Sequence, residues 1–98
     1  GLDMIQYISK MRADACFLGS SGIDHGSGLM EIDWEVSQLK RTIVNVCDKV
    51  VIMSTVEKID NKQPFLVCEL GRINTLITEI DPDDSLLANY KKKGIQVL

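Results

Sequence analysis

The sequence predicts an α/β fold in which a parallel sheet is flanked by helices on both faces. Short, nearly continuous apolar runs alternate along the chain with segments whose apolar residues recur at three- and four-residue spacing, and that alternation is the signature of right-handed βαβ units. The run Val50-Val51-Ile52-Met53 is largely β-branched and uninterrupted, as a strand inside a parallel sheet requires.

Met4, Ile5, Ile8 and Met11 define a first helix over Leu2 to Met11, with Asp3 near its positive end. Ala15 to Leu18 is a continuously apolar run that breaks at Gly19-Ser20-Ser21-Gly22, which reads as a strand buried on both faces followed by a glycine loop. Val36, Leu39, Ile43 and Val46 give the apolar stripe of a second helix that Asp33 caps and that ends near Asp48. The Val50 to Met53 strand follows, and Ser54-Thr55 ends it. Phe65 to Leu70 is apolar except for Glu69 and too short for periodicity to assign. Leu76 and Ile77 form a third strand. Asp81-Pro82 has the chemistry of a capped helix start, Leu86, Leu87 and Tyr90 supply that helix's stripe, and Lys91 to Lys93 with Gly94 close it. Ile95 to Leu98 begins a fourth strand.

The 98 residues fit one domain. A net charge of −3 disfavours direct contact with nucleic acid, and no run approaches the ~18 apolar residues of a membrane span. The three cysteines, Cys16, Cys47 and Cys68, form no CxxC pair and His25 is the sole histidine, so neither a zinc site nor a disulfide framework is expected. Apolar neighbours suit them to be buried thiols in a reducing compartment, the cytoplasm.

Ligands of open parallel sheets bind at the carboxyl ends of the strands. Three loops share that edge here: Gly19 to Gly28, Ser54 to Lys58 and Glu79 to Asp81. The first offers backbone N–H groups and the hydroxyls of Ser20, Ser21 and Ser27 to an oxyanion, although its four glycines equally suit a plain flexible connection. It matches neither GxGxxG nor the Walker pattern, and no cofactor is expected. Lys58 stands just past the second strand, where an ammonium meets an anion held by the first loop; an ordinary surface lysine is the other reading. Lys40, beside Arg41, reads as part of a solvated helix face. Trp34 reads as a packing residue, and nothing in the sequence pairs Asp24 with Glu31 as acid and base.

Taken in register, Asp14-Ala-Cys-Phe-Leu-Gly19, Ser-Ser-Gly22-Ile23, Gly28-Leu29, Glu35, Leu39-Lys40-Arg41, Val50-Val-Ile-Met53 with Lys58, Ile73-Asn-Thr-Leu-Ile-Thr78 and Gly94-Ile-Gln-Val97 resemble the C-terminal effector domain of DeoR-type bacterial transcriptional repressors. The resemblance spans nearly the whole chain. It implies a fold like that of the sugar-phosphate isomerases and CoA transferases, truncated, and a sensor whose phosphorylated sugar effector alters operator binding. It further implies that Gly19, Ser20, Ser21, Gly22, Ile23 and Lys58 face the ligand and that Lys40 is a characteristic lysine of the site. Residues 1–98 would then be the C-terminal part of the effector-binding domain, with DNA contacted only through a helix-turn-helix outside this chain. Thr55 and Glu57 depart from the family pattern, which has an Asp and then a Ser or Thr shortly before the lysine matched by Lys58.

Two other functions fit the residues less well. An isomerase or CoA-transferase-like enzyme needs Glu31, Glu35 or Lys58 to be catalytic, without a convincing acid–base pair. A subunit-contact module, and with it a homo-oligomer, would use the open sheet edge.

Overall fold

The computed structural model describes residues 2–98. Helix α1 (Leu2–Ile8) leads into β1 (Ala13–Leu18); the hairpin of β2 (Gly22–Asp24) and β3 (Gly28–Glu31) precedes α2 (Trp34–Val46), which passes directly into β4 (Cys47–Met53). A 3-10 turn at Val56–Lys58, β5 (Phe65–Cys68), a second 3-10 turn at Leu70–Arg72 and β6 (Thr75–Ile77) follow. A third 3-10 turn, Ser85–Leu87, runs into α3 (Ala88–Lys92), and β7 (Gln96–Val97) ends the fold.

The mixed α/β class and the parallel sheet are as the sequence implies: β1, β4, β6 and β7 pair in parallel in the order β1-β4-β6-β7. The register aligns Leu18, Ile52, Leu76 and Val97 in one row across the strands. Ile52 and Leu76 are fully buried, each worth about 1.5–3 kcal/mol of transfer free energy. Val44 of α2, Leu87 and Tyr90 at the α3 end, and Ile23 and Leu29 of the hairpin join the same cluster.

Because strand side chains alternate between faces, the opposite face of this sheet carries Phe17 and Met53, and these are 62% and 45% exposed. The expectation that Ala15 to Leu18 is buried on both faces is therefore corrected: only Cys16 and Leu18 point into the core. Cover lies on one face because the second sheet, β2-β3-β5, is antiparallel and packs its Ile23, Leu29 and Val67 into the same core as α2 and α3.

Three further differences have local causes. The glycine segment expected to be a loop to Gly28 folds as the β2–β3 hairpin, with Gly22 pairing with Met30 and Asp24 with Gly28. Strands this short give periodicity too few residues to register. The ambiguous run at Phe65 resolves as β5, whose Leu66 and Phe65 pair with Met30 and Glu31. The last helix begins later than Asp81-Pro82: Asp81 Oδ1 accepts the Asp83 N–H at 2.8 Å in a tight turn, and Asp84 caps the true start by accepting from Leu86 N–H at 2.9 Å. Two successive Asx side chains compete for the start, and the one followed by the buried Leu87 prevails. Gly94 does take the left-handed cap, at φ +89°.

Helix α2 is capped as expected, Asp33 Oδ1 accepting from the Val36 N–H at 3.0 Å. Its buried face overlaps the predicted one only in part: Ile43 and Val46 pack against the core as expected. Ser37 and Val44 are buried, whereas Val36 is exposed, so the inward stripe is Ser37, Lys40 and Val44 at helical spacing. Ser37 satisfies its hydroxyl on the Trp34 carbonyl at 2.6 Å. Arg72 closes the far end of the helix, donating to the Val44 carbonyl at 3.0 Å and to that of Cys47, where a cation also meets the negative end of the dipole.

Candidate functional site

The carboxyl ends of β1, β4 and β6 do bring the expected loops together. A Cβ on Gly19 would lie 3.9 Å from the Met53 carbonyl, and the Ser54 N–H donates to the Ile77 carbonyl at 2.9 Å. Ile23 forms a parallel bridge with Ile59, and the Asn61 N–H donates to the Ile23 carbonyl at 3.2 Å. The segment Gly19 to Ile23 thus lies alongside the turn that holds Lys58.

Gly22 and Gly28 are accounted for by this packing. A Cβ on Gly22 would come within 2.2 Å of the Asn61 carbonyl oxygen, and one on Gly28, at φ +128°, within 2.1 Å of the Cys68 carbonyl oxygen. These two glycines admit neighbouring backbone and not a ligand. Gly19 has room for a side chain, so it is the open part of the loop, followed by the buried Ser20 and the half-buried Ser21.

Beneath that loop lies a polar network the sequence does not announce. Lys40 Nζ donates to the Gly19 carbonyl at 2.6 Å and to Glu31 Oε2 at 2.5 Å. Ser21 Oγ donates to Glu31 Oε1 at 2.6 Å. The Glu31 and Lys40 side chains are 5% and 18% exposed, so this is an enclosed ion pair and Lys40 is not on a solvated face. Burial by itself would raise the Glu31 carboxyl, but the Lys40 and Ser21 hydrogen bonds and the Lys40 charge outweigh it and hold the group below its ordinary range. One sequence signal did mark Glu31: a single carboxylate inside the apolar stretch Leu29-Met30-Glu31-Ile32.

Donors remain at the mouth. Among the described residues no intramolecular acceptor meets the N–H of Ser20, whereas that of Ser21 donates to the Glu31 carboxylate. The Ser20 hydroxyl is buried without a partner, a state that costs about 1–3 kcal/mol unless a water or ligand atom meets it. Lys58 is half-buried, its own N–H donating to the Thr55 carbonyl at 3.1 Å, and it makes no ion pair among the described residues. Glu57 is solvent-exposed. Glu79, fully exposed, sits below the ordinary carboxylate range because its own N–H and that of Val56 donate to it, helped by the Thr78 hydroxyl at 3.0 Å. A carboxylate is therefore accommodated at the head of the Lys58 turn.

The other candidates lie elsewhere. His25 stands edge-on to Tyr90 with ring centroids 6.0 Å apart, and Trp34 packs edge-on to Phe65 at 5.3 Å. Asp24 Oδ2 accepts the Gly26 N–H at 3.1 Å, bracing the hairpin turn. Tyr90, buried in the core, donates its hydroxyl to Asp60 at 2.7 Å and lies 3.2 Å from the Ile23 carbonyl. It thereby ties α3 to the back of the candidate loop. Among the described residues no cluster of three or more His, Cys, Asp or Glu is placed to hold a metal ion, and no helix is long and apolar enough to cross a membrane.

A parallel sheet with unpaired donors gathered at its carboxyl edge defines an α/β domain of the ligand-binding kind. Residues 1–80 match the family described as the DeoR C terminal sensor domain, and the chain belongs to that family. Its role is therefore ligand sensing in a DeoR-type regulator of transcription.

Proposed function

We propose that this domain senses a phosphorylated sugar, with the phosphate held by the Ser20 N–H and hydroxyl and the Lys58 ammonium. The carrying observation is the unpaired buried hydroxyl of Ser20 together with the unpaired Ser20 N–H at the carboxyl edge, since converging donors without acceptors suit an oxyanion. Gly22 and Ile23 shape the loop by packing on the Ile59–Asn61 segment. The exposed Glu57 can turn to solvent, which removes its conflict with a phosphate near Lys58.

The effector in turn alters operator binding, with DNA contacted by a separate helix-turn-helix of the regulator, in the bacterial cytoplasm. An enzymatic role is disfavoured by the same network: Glu31 is fixed in an ion pair with Lys40, and Glu35 lies exposed in the first turn of α2. Neither is poised to move a proton.

An amide NMR titration with inorganic phosphate and a panel of sugar phosphates tests the reading. Shifts at Ser20 to Ile23 and around Lys58 are expected, strongest for one phosphosugar. Shifts confined to other surfaces, or none at millimolar ligand, would refute it.

A further inference from the structure

We propose that Glu31, Lys40 and Ser21 form a clamp that positions the Gly19–Ile23 loop from beneath, so that Lys40 acts as a positioning residue and does not touch the ligand. The inference rests on the reading of that loop as the ligand face. Lys40 Nζ holds the Gly19 carbonyl at 2.6 Å. The peptide that follows is trans, so the Ser20 N–H points opposite to the Gly19 carbonyl. Pinning the carbonyl onto Lys40 therefore aims the Ser20 N–H away from the network. The same clamp fixes the other side of the loop, because Ser21 Oγ is held on Glu31 Oε1 at 2.6 Å.

Glu31 has two tasks in this arrangement. One oxygen fixes Ser21 and the other fixes Lys40, and its charge neutralises the ammonium that would otherwise be buried alone. Two of the lysine's three donors are taken by a carbonyl and a carboxylate of the protein itself. The buried, partnerless Ser20 hydroxyl lies between these two fixed points in the chain and is the group the clamp leaves for a ligand.

The test uses the variants Glu31→Gln, Lys40→Met and Ser21→Ala. Phosphate affinity is followed by NMR on the folded resonances, and 15N order parameters are measured without ligand. A clamp predicts that all three variants weaken phosphate binding, Glu31→Gln and Lys40→Met by about tenfold, the size of a lost charge-assisted hydrogen bond. The Glu31→Gln/Lys40→Met double variant should be no weaker than either single one, because the residues act as a unit. Order parameters at Ser20 and Ser21 should fall from rigid values near ~0.85 toward ~0.6.

A Lys40 that contacts the ligand predicts the reverse sign for one variant: Glu31→Gln would free the ammonium and tighten phosphate binding. That result would overturn the proposal, as would order parameters unchanged in every variant. Ser21→Ala leaves both charges in place and keeps the test valid if the charge variants fail to fold. Should the unaltered protein show no phosphate shifts while the order parameters fall as expected, the phosphosugar reading fails and the clamp stands.

Discussion

Glu31 is nearly enclosed and yet favours its ionised form, because Lys40 and Ser21 replace the water it has lost. A carboxyl whose folded value lies below its ordinary 4.5 stabilises the fold fully above that value, and the contribution is lost as pH falls through the folded value. Urea denaturation should therefore find the unaltered protein more stable than Glu31→Gln at pH 7, with the gap shrinking progressively below about pH 4. The glycines permit a second comparison at this scale. Gly22→Ala drives a Cβ against the Asn61 carbonyl and should cost about 1–3 kcal/mol in urea denaturation. Gly19→Ala, with open space around it, should stay within about 0.5 kcal/mol. Burial pushes the Cys16 thiol up to about 12, with the neighbouring Cys47 adding to it, and burial raises Cys68 to about 11. Both are thus protonated at neutral pH, consistent with packing residues and not nucleophiles.

Helix α2 is the element on which the loop depends, since it delivers Lys40 to Gly19 and is fixed at both ends. Asp33 satisfies its first turn and Arg72 its last carbonyls. Replacing Arg72 with Met keeps the aliphatic stem and removes the guanidinium donors. A loss of about 2 kcal/mol is expected from thermal or urea denaturation, against about 1 kcal/mol for Asp33→Ala. Both caps involve a polar group meeting orphan backbone groups, but only the first was legible in the sequence. Asp33 lies directly before its helix, whereas Arg72 reaches α2 from a turn that is distant along the chain.

Across the whole molecule, one core takes contributions from both sheets and from α2 and α3, and the parallel sheet is covered on the face of Leu18, Ile52 and Leu76. The opposite face is the clearest place to measure that asymmetry. Phe17→Lys should alter stability by no more than about 0.5 kcal/mol because the ring is largely exposed, while Leu76→Ala should cost about 2–5 kcal/mol. Equal losses at the two positions would show the outer face to be covered as well.

The sequence by itself determined the class, the parallel strands, the Asp33 and Gly94 caps and the placing of the Gly19 to Ile23 segment beside the Lys58 turn, because propensity, capping and strand-end rules act over a few residues. Its periodicity found only part of the inward face of α2, placing Ile43 and Val46 against the core but missing Ser37 and Lys40. A charged residue in the buried stripe breaks the apolar pattern, and Lys40 is admitted there because Glu31 of β3 neutralises it. The hairpin, the one-sided cover of the sheet and the Arg72 cap were likewise decided by tertiary structure. The hairpin's own strands, of three and four residues, are too short for periodicity to register, whereas the one-sided cover and the Arg72 cap depend on segments far apart in the chain, and no local pattern encodes which distant partner will be present.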